Sequence, residues 1–350
     1  MLVIKLLLTT VPGLEKIVAR EIRSLLGDSI TEVHYSSLSG RVFCCVKDDN
    51  VINLLCRNVK TVEKIYLILH EVRLNEETCN VNELISSLSS IPLHEYISPF
   101  MSFRVSVNKL ATMEQTSSEL ARLLGQKIIE ILEKHYGFAP TVILDNPDVT
   151  FYAEFSRKHF LLCIDITGYK VSLRDRGYKV YIHPSSLNPI IAYSMFILAN
   201  PSNGERVLDP LCGSGTILIE VANDLCGSDF IGIDINFKHV LGAKTNALAA
   251  GVYSRMHLIV SDATLMDKLF RVKIRYIISN LPYGIRIRLS KRFLRRFLKA
   301  LSNIIFPGGI ACLLSLKNIR DIAENLGFTV LDQFRIRQGD VYPRIVILTR

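Results

Sequence analysis

Asn280-Leu281-Pro282-Tyr283 places a side-chain amide, a backbone carbonyl, a stiff turn residue and an aromatic ring in four consecutive positions. An exocyclic amine on an aromatic base is a poor nucleophile, because its lone pair is delocalised into the ring. Two acceptors on its hydrogens, the Asn280 side-chain oxygen and the Leu281 carbonyl, would localise that pair toward an electrophile. Pro282 would stiffen the turn and Tyr283 would stack on the base. Such chemistry works by orientation and electrostatics and needs neither a metal nor a covalent nucleophile.

A second constellation lies upstream. Val207-Leu208-Asp209-Pro210-Leu211-Cys212-Gly213-Ser214-Gly215-Thr216 reads as a strand entering a glycine turn that opens a helix. Glycines there let the backbone approach a ligand closely. Two cofactors could use it. A dinucleotide fingerprint wants a third glycine where Leu218 stands. Asp234, closing the next strand beside Ile235, would bind ribose hydroxyls in either case. Asp262, followed by Ala263 after the third strand, could take an adenine amine, which suits S-adenosylmethionine better than NAD. The expected cofactor set is Asp209, Cys212, Gly213, Ser214, Gly215, Thr216, Asp234, Ile235, Asp262, Ala263 and Asn280. Cys212 could instead suggest a covalent pyrimidine methyltransferase, but no cysteine accompanies Asn280, and it reads as a small loop residue.

The elements that must carry these residues follow from periodicity. Strands fall near 206–209, 229–234, 257–260, 275–279 and 310–316, separated by helical stretches. This alternation predicts a parallel sheet covered on both faces. Residues 328–337 and 344–349 read as a closing hairpin around Gln338-Gly339-Asp340. Upstream, a strand over 2–9, a helix from Leu14 to Leu26 ended by Gly27, and a strand over 40–46 suggest a small α+β unit. A second unit holds a period-two strand at 101–107 and a helix capped by Thr116 or Ser117 and closed by Gly137. The expected division is 1–59, an N-terminal module; 60–167, a second α/β unit; 168–189, a linker; and 190–350, the catalytic domain.

Bulk properties narrow the partners. The 350 residues carry a net charge of +9, which favours a polyanion. Arg174, Arg176 and Lys179 in the linker, and Arg286, Arg288 and Lys291 after the tetrapeptide, are candidate phosphate contacts. The eight cysteines include no C-x-x-C spacing, so no metal site is expected, and the thiols suit a reducing cytoplasm. The longest internal apolar run, Ile190 to Ala199, is far short of the roughly twenty residues of a membrane span. A cytoplasmic monomer without membrane contact is expected.

Taken together, these motifs resemble the THUMP-domain RNA guanine-N2 methyltransferases. The resemblance rests on the Asp209–Thr216 loop and on Asn280-Leu281-Pro282-Tyr283-Gly284. It extends to Phe103-Arg104-Val105, Arg176-Gly177-Tyr178, His183-Pro184-Ser185-Ser186-Leu187-Asn188 and Thr10-Val11-Pro12-Gly13-Leu14-Glu15, covering essentially the whole chain. It implies a ferredoxin-like N-terminal module, a THUMP domain gripping the tRNA 3′ end, and a Rossmann-like domain using S-adenosylmethionine. The Cys-Gly-Ser-Gly-Thr loop is most similar to enzymes forming N2-methylguanosine at position 6 of the tRNA acceptor stem. Guanosine 10 and ribosomal RNA are alternative targets. Leu281 replaces the first proline of the commoner Asn-Pro-Pro-Tyr, which leaves mono- versus dimethylation open. DNA adenine methylation and non-catalytic RNA binding are competing readings.

Overall fold

The computed structural model describes residues 3–48, 50–74, 80–183, 186–283 and 290–350. The N-terminal half runs β1 (Ile4–Thr9), α1 (Glu15–Leu26), β2 (Ile30–Tyr35), β3 (Arg41–Val46), α2 (Asn50–Asn58), β4 (Lys64–Arg73), α3 (Val81–Ser87), β5 (Phe103–Lys109), α4 (Ser117–Tyr136), β6 (Val149–Phe155) and β7 (His159–Asp165). Local signals set the helix ends. Thr116 and Glu119 close a reciprocal capping box on α4, and Gly137 ends it at φ 81°, a left-handed conformation that costs glycine little. Helix α1 buries Ile17, Val18, Ile22 and Leu26 at helical spacing.

The seven strands form one sheet in the order β2-β3-β1-β4-β7-β6-β5. Strand β4 pairs antiparallel with β1 on one side, Leu6 opposite Leu67, and with β7 on the other, Leu67 opposite Ile164. Hydrogen bonding therefore passes unbroken across residue 60. A buried ion pair adds to this continuity: Arg41 on β3 holds the fully buried Glu154 of β6 at 2.8 Å. Burial alone would raise the Glu154 pKa, but hydrogen bonds from His159, Arg41 and Tyr152 outweigh it and hold the carboxyl down at about 2.

The C-terminal half runs α5 (Pro189–Ala199), β8 (Val207–Asp209), α6 (Thr216–Ala222), β9 (Phe230–Asp234), α7 (Phe237–Ala249), β10 (Met256–Val260), α8 (Met266–Leu269), β11 (Ile274–Asn280), α9 (Lys291–Ile304), β12 (Ile305–Ser315), α10 (Arg320–Glu324), β13 (Thr329–Arg335) and β14 (Arg344–Thr349). Its sheet has the order β10-β9-β8-β11-β12-β14-β13. The first five strands are parallel, and β14 lies antiparallel between β12 and β13. Separate apolar cores, one on α5 and α6 and one on α9, cover the two faces. Helix α5 is apolar all round, as its position inside the first of these requires.

The halves are packed together. Val11, Leu14 and Ile17 join the same core as Tyr178, Ile191 and Ile336, and full burial of a side chain such as Leu14 contributes about 2 kcal/mol. Lys60 ion-pairs with Asp224 of the C-terminal half. Among the described residues no helix is long and apolar enough to cross a membrane, and no cluster of three or more ligand side chains could hold a metal.

Candidate active site

Strand order reverses between β8 and β11, and in open parallel sheets the crevice at such a point, outside the strand carboxyl ends, receives ligands. The chain places its two motifs there. The glycine loop leaves the end of β8, and Asn280 closes β11 alongside it. Asp234 ends β9, one strand further on. Asp262 follows β10, in which Val260 pairs with Asp234. Asp209, Asp234, Asp262 and Asn280 therefore stand in a row along one edge of the sheet.

Internal hydrogen bonds shape the glycine loop. The Cys212 N–H donates to the Ile233 carbonyl at 2.8 Å, and the Gly215 N–H donates to the Cys212 carbonyl at 2.8 Å. Gly213 and Gly215 take φ values of 51° and 79°. A side chain on Gly213 would meet nothing within 4 Å, so the loop backbone faces open space there. The Gly213 N–H donates to Asp234 Oδ2 at 3.0 Å, tying the loop to the second strand's acid. Ser214 is buried, its hydroxyl 2.8 Å from that of Ser186. The Asn246 amide donates to the carbonyls of Ser214 and Tyr181, both at 3.0 Å. Asn246 thus links helix α7, the loop and the linker. Sequence reasoning misses it, since a lone asparagine within a helical stretch is its only signal.

The acids differ in state. Asp209 is buried and accepts from the Ser279 hydroxyl at 2.7 Å and the Leu211 N–H at 3.0 Å. Loss of solvent dominates, and its pKa is pushed up to about 7. It braces β8 against β11. Asp234 accepts from the Asn236 N–H at 2.8 Å and faces His239 Nδ1 at 3.3 Å. Asp262 caps the short turn that follows it, accepting from the Thr264 N–H at 2.8 Å, and Ala263 behind it is buried. Ile235 is 68% exposed next to Asp234, an apolar surface beside the strand-end acid. Thr216 begins α6 and is buried. Burial pushes the Cys212 thiol far above its ordinary value, which disfavours the thiolate that a covalent attack needs.

The tetrapeptide is held from both sides. The Leu281 N–H donates to the Leu314 carbonyl at 2.9 Å, and its side chain is fully buried in the α9 core. Tyr283 packs on the opposite core and donates its hydroxyl to Gln338 Oε1 at 2.8 Å. Asn280 Oδ1 is buried without a hydrogen-bond partner among the described residues. An orphaned acceptor of this kind costs about 1–3 kcal/mol, and it marks where a donor from a ligand would sit. Open loop backbone, two strand-end acids, an exposed Ile235 and an unsatisfied amide oxygen fit a nucleoside cofactor with an amine-bearing acceptor beside it.

The basic side chains divide. The Arg176 guanidinium is 3.1 Å from Glu220; it also donates to the carbonyls of Lys60, at 2.9 Å, and Leu173. Lys179 donates to the Leu187 carbonyl at 2.9 Å, and burial lowers its pKa. Both cations bond to partners inside the chain that are distant in sequence. Arg174 is half exposed and pairs with Glu63 at 3.1 Å. Lys291 stands exposed at the start of α9. Arg286 and Arg288 lie outside the described residues.

Comparison with known proteins agrees with this geometry. Residues 176–342 match the RMKL-like methyltransferase domain, and residues 79–165 match the THUMP domain. The chain is 30% identical to a tRNA (guanine(6)-N2)-methyltransferase of Methanocaldococcus jannaschii, over 97% of this chain and 98% of that one. A protein of the same name from Archaeoglobus fulgidus is 26% identical over 99% and 92%. The crystal structure of TrmN from Thermus thermophilus superposes with a TM-score of 0.80 at 26% identity, covering 99% of each chain. The chain belongs to the family of S-adenosylmethionine-dependent methyltransferases that join a THUMP domain to an RMKL-like catalytic domain, the family of the tRNA (guanine(6)-N2)-methyltransferases.

Proposed function

We propose that this enzyme methylates the exocyclic N2 amine of a guanosine in tRNA, at position 6 of the acceptor stem. The observation that carries the chemistry is the buried Asn280 Oδ1 at the carboxyl end of β11, which has no hydrogen-bond partner among the described residues. The position is supported by the relatives named for guanine 6, which align over nearly the full chain.

When bound, S-adenosylmethionine supplies a sulfonium methyl group open to displacement by the amine. Asp234 and Asp262 would take the ribose hydroxyls and the adenine amine, and Ile235 would offer an apolar surface to the nucleoside. The Gly213–Thr216 loop lets the backbone come close to it. Asn280 Oδ1 and the Leu281 carbonyl accept the two N2 hydrogens, turning the lone pair toward the methyl carbon. Tyr283 stacks on the guanine. On taking the methyl group the amine would lose one proton. Neither oxygen is basic enough to keep it, and it passes to water. The base must leave its stacked position to reach this crevice. Exposed cations, Arg174 and Lys291 among them, would hold the flanking phosphates and the tRNA 3′ end.

The test is Asn280→Ala, assayed for methyl transfer from labelled S-adenosylmethionine to an unmodified tRNA transcript. Turnover should fall by about a thousandfold, as for loss of a preorganised polar group at a reacting centre, while cofactor and tRNA binding persist. Loss of both bindings with turnover would mean that Asn280 supports the fold and that the site is misassigned.

A further inference from the structure

We propose that Gln338, held in place by the N-terminal turn Pro12-Gly13, is a positioning residue that sets the Tyr283 ring for the incoming base. This rests on the reading of Asn280–Tyr283 as the methyl-acceptor site.

Gln338 belongs to the turn joining β13 to β14, closed by reciprocal hydrogen bonds between the backbones of Gln338 and Val341 at 2.9 and 3.2 Å. Its Oε1 accepts the Tyr283 hydroxyl at 2.8 Å, across 55 residues of sequence. Burial pushes the Tyr283 hydroxyl upward, and against an amide oxygen the hydroxyl is the donor. The tyrosine has one torsion that swings its ring and one that spins it, and a bond at the far tip restrains the swing.

The turn is itself anchored from the other half of the molecule. The adjacent Arg337 N–H donates to the Pro12 carbonyl at 2.8 Å. Ile336 is fully buried in the core that also holds Val11, Leu14 and Ile17. Gly13 has φ 100°, and a Cβ there would overlap the Arg335 carbonyl oxygen. The two backbones meet at a distance that only glycine permits. The Gly13 N–H is fixed by Glu15 at 3.0 Å, and Glu15 also takes the Gly40 N–H at 2.6 Å. A continuous set of short contacts thus runs from the N-terminal sheet through Pro12, Arg337 and Gln338 to Tyr283. The ring that meets the base is referenced to the half of the protein that carries the THUMP domain.

The experiment compares Gln338→Met, Tyr283→Phe, the double variant and Gln338→Glu in the full chain. The readout is methyl transfer from labelled S-adenosylmethionine to an unmodified tRNA transcript. Removing one neutral hydrogen bond from a site that must be held rigid should lower kcat about tenfold in Gln338→Met, with the KM for S-adenosylmethionine within about twofold of the parent. Tyr283→Phe should lose a similar factor, the double variant no more than either single change, and Gln338→Glu, which keeps the acceptor, should regain most of the rate. Parental kcat in Gln338→Met overturns the proposal, as do losses that multiply in the double variant. Tyr283→Ala separates the two readings. If it is inactive while Gln338→Met turns over normally, only the positioning role is lost. If it is fully active, the reading of the acceptor site fails as well.

Discussion

Replacing Arg176 by methionine should destabilise the protein by about 3–5 kcal/mol without changing the salt dependence of tRNA binding. Glu220 is 3% exposed and Arg176 17%, so the change leaves a carboxylate buried beside the Tyr178 hydroxyl, 2.6 Å away, without its ion-pair partner and with only the charge of Lys179 acting on it. Breaking a buried pair by removing one partner costs about 3–5 kcal/mol. The carbonyls of Lys60 and Leu173 also lose their donor, which argues against the lower limit. At an m value of about 2–3 kcal/mol/M, the urea midpoint should fall by about 1–2.5 M. Arg176→Met with Glu220→Met should recover much of the loss, because the stranded charge is then gone. The companion assay is tRNA binding across a salt series. A true phosphate contact would give the opposite pattern: a parental midpoint, weaker binding, and a salt slope smaller by about one. That pattern would refute the internal clamp.

Two further changes probe the frame of the site. Asp209→Asn should flatten the dependence of stability on pH. The native carboxyl titrates at about 7 against about 3.9 in the unfolded chain, so the native state binds the proton more tightly. Its stability is fully present below pH 4 and is lost as pH rises toward 7, by about 4 kcal/mol at 1.36 kcal/mol per unit. The advantage of the Asp209→Asn variant over the parent in thermal melts should grow across that interval, and parallel profiles would contradict the assignment. Gly13→Ala should cost about 2–5 kcal/mol, from a positive φ and from overlap with the Arg335 carbonyl. A urea midpoint equal to the parent's would show that the two halves do not meet there as described.

What the sequence disclosed was local. Asn280 and Asp234 are the last residues of their strands, as their position after apolar runs implied; Gly137 marked the end of α4, and of the two candidate caps, Thr116 and Ser117, it is Thr116 that caps its start. The hairpin around Gln338-Gly339-Asp340 was legible from its turn residues. Pairings between distant residues were not. Nothing near Lys64–Arg73 announced that this strand would join both β1 and β7, since each bond spans dozens of residues. Arg176 and Lys179 looked like free cations because Glu220 and the Leu187 carbonyl become neighbours only on folding. Gln338 read as a turn residue, and its contact with Tyr283 has no sequence signature.

The most direct test of the central claim is to methylate an unmodified tRNA transcript with labelled S-adenosylmethionine, digest it to nucleosides and map the labelled position. The account predicts N2-methylguanosine at position 6, absent with Asn280→Ala. N2-methylguanosine only elsewhere in the tRNA would contradict the assigned position, and a labelled N6-methyladenosine, or no transfer to RNA with the cofactor bound, would contradict the assigned substrate.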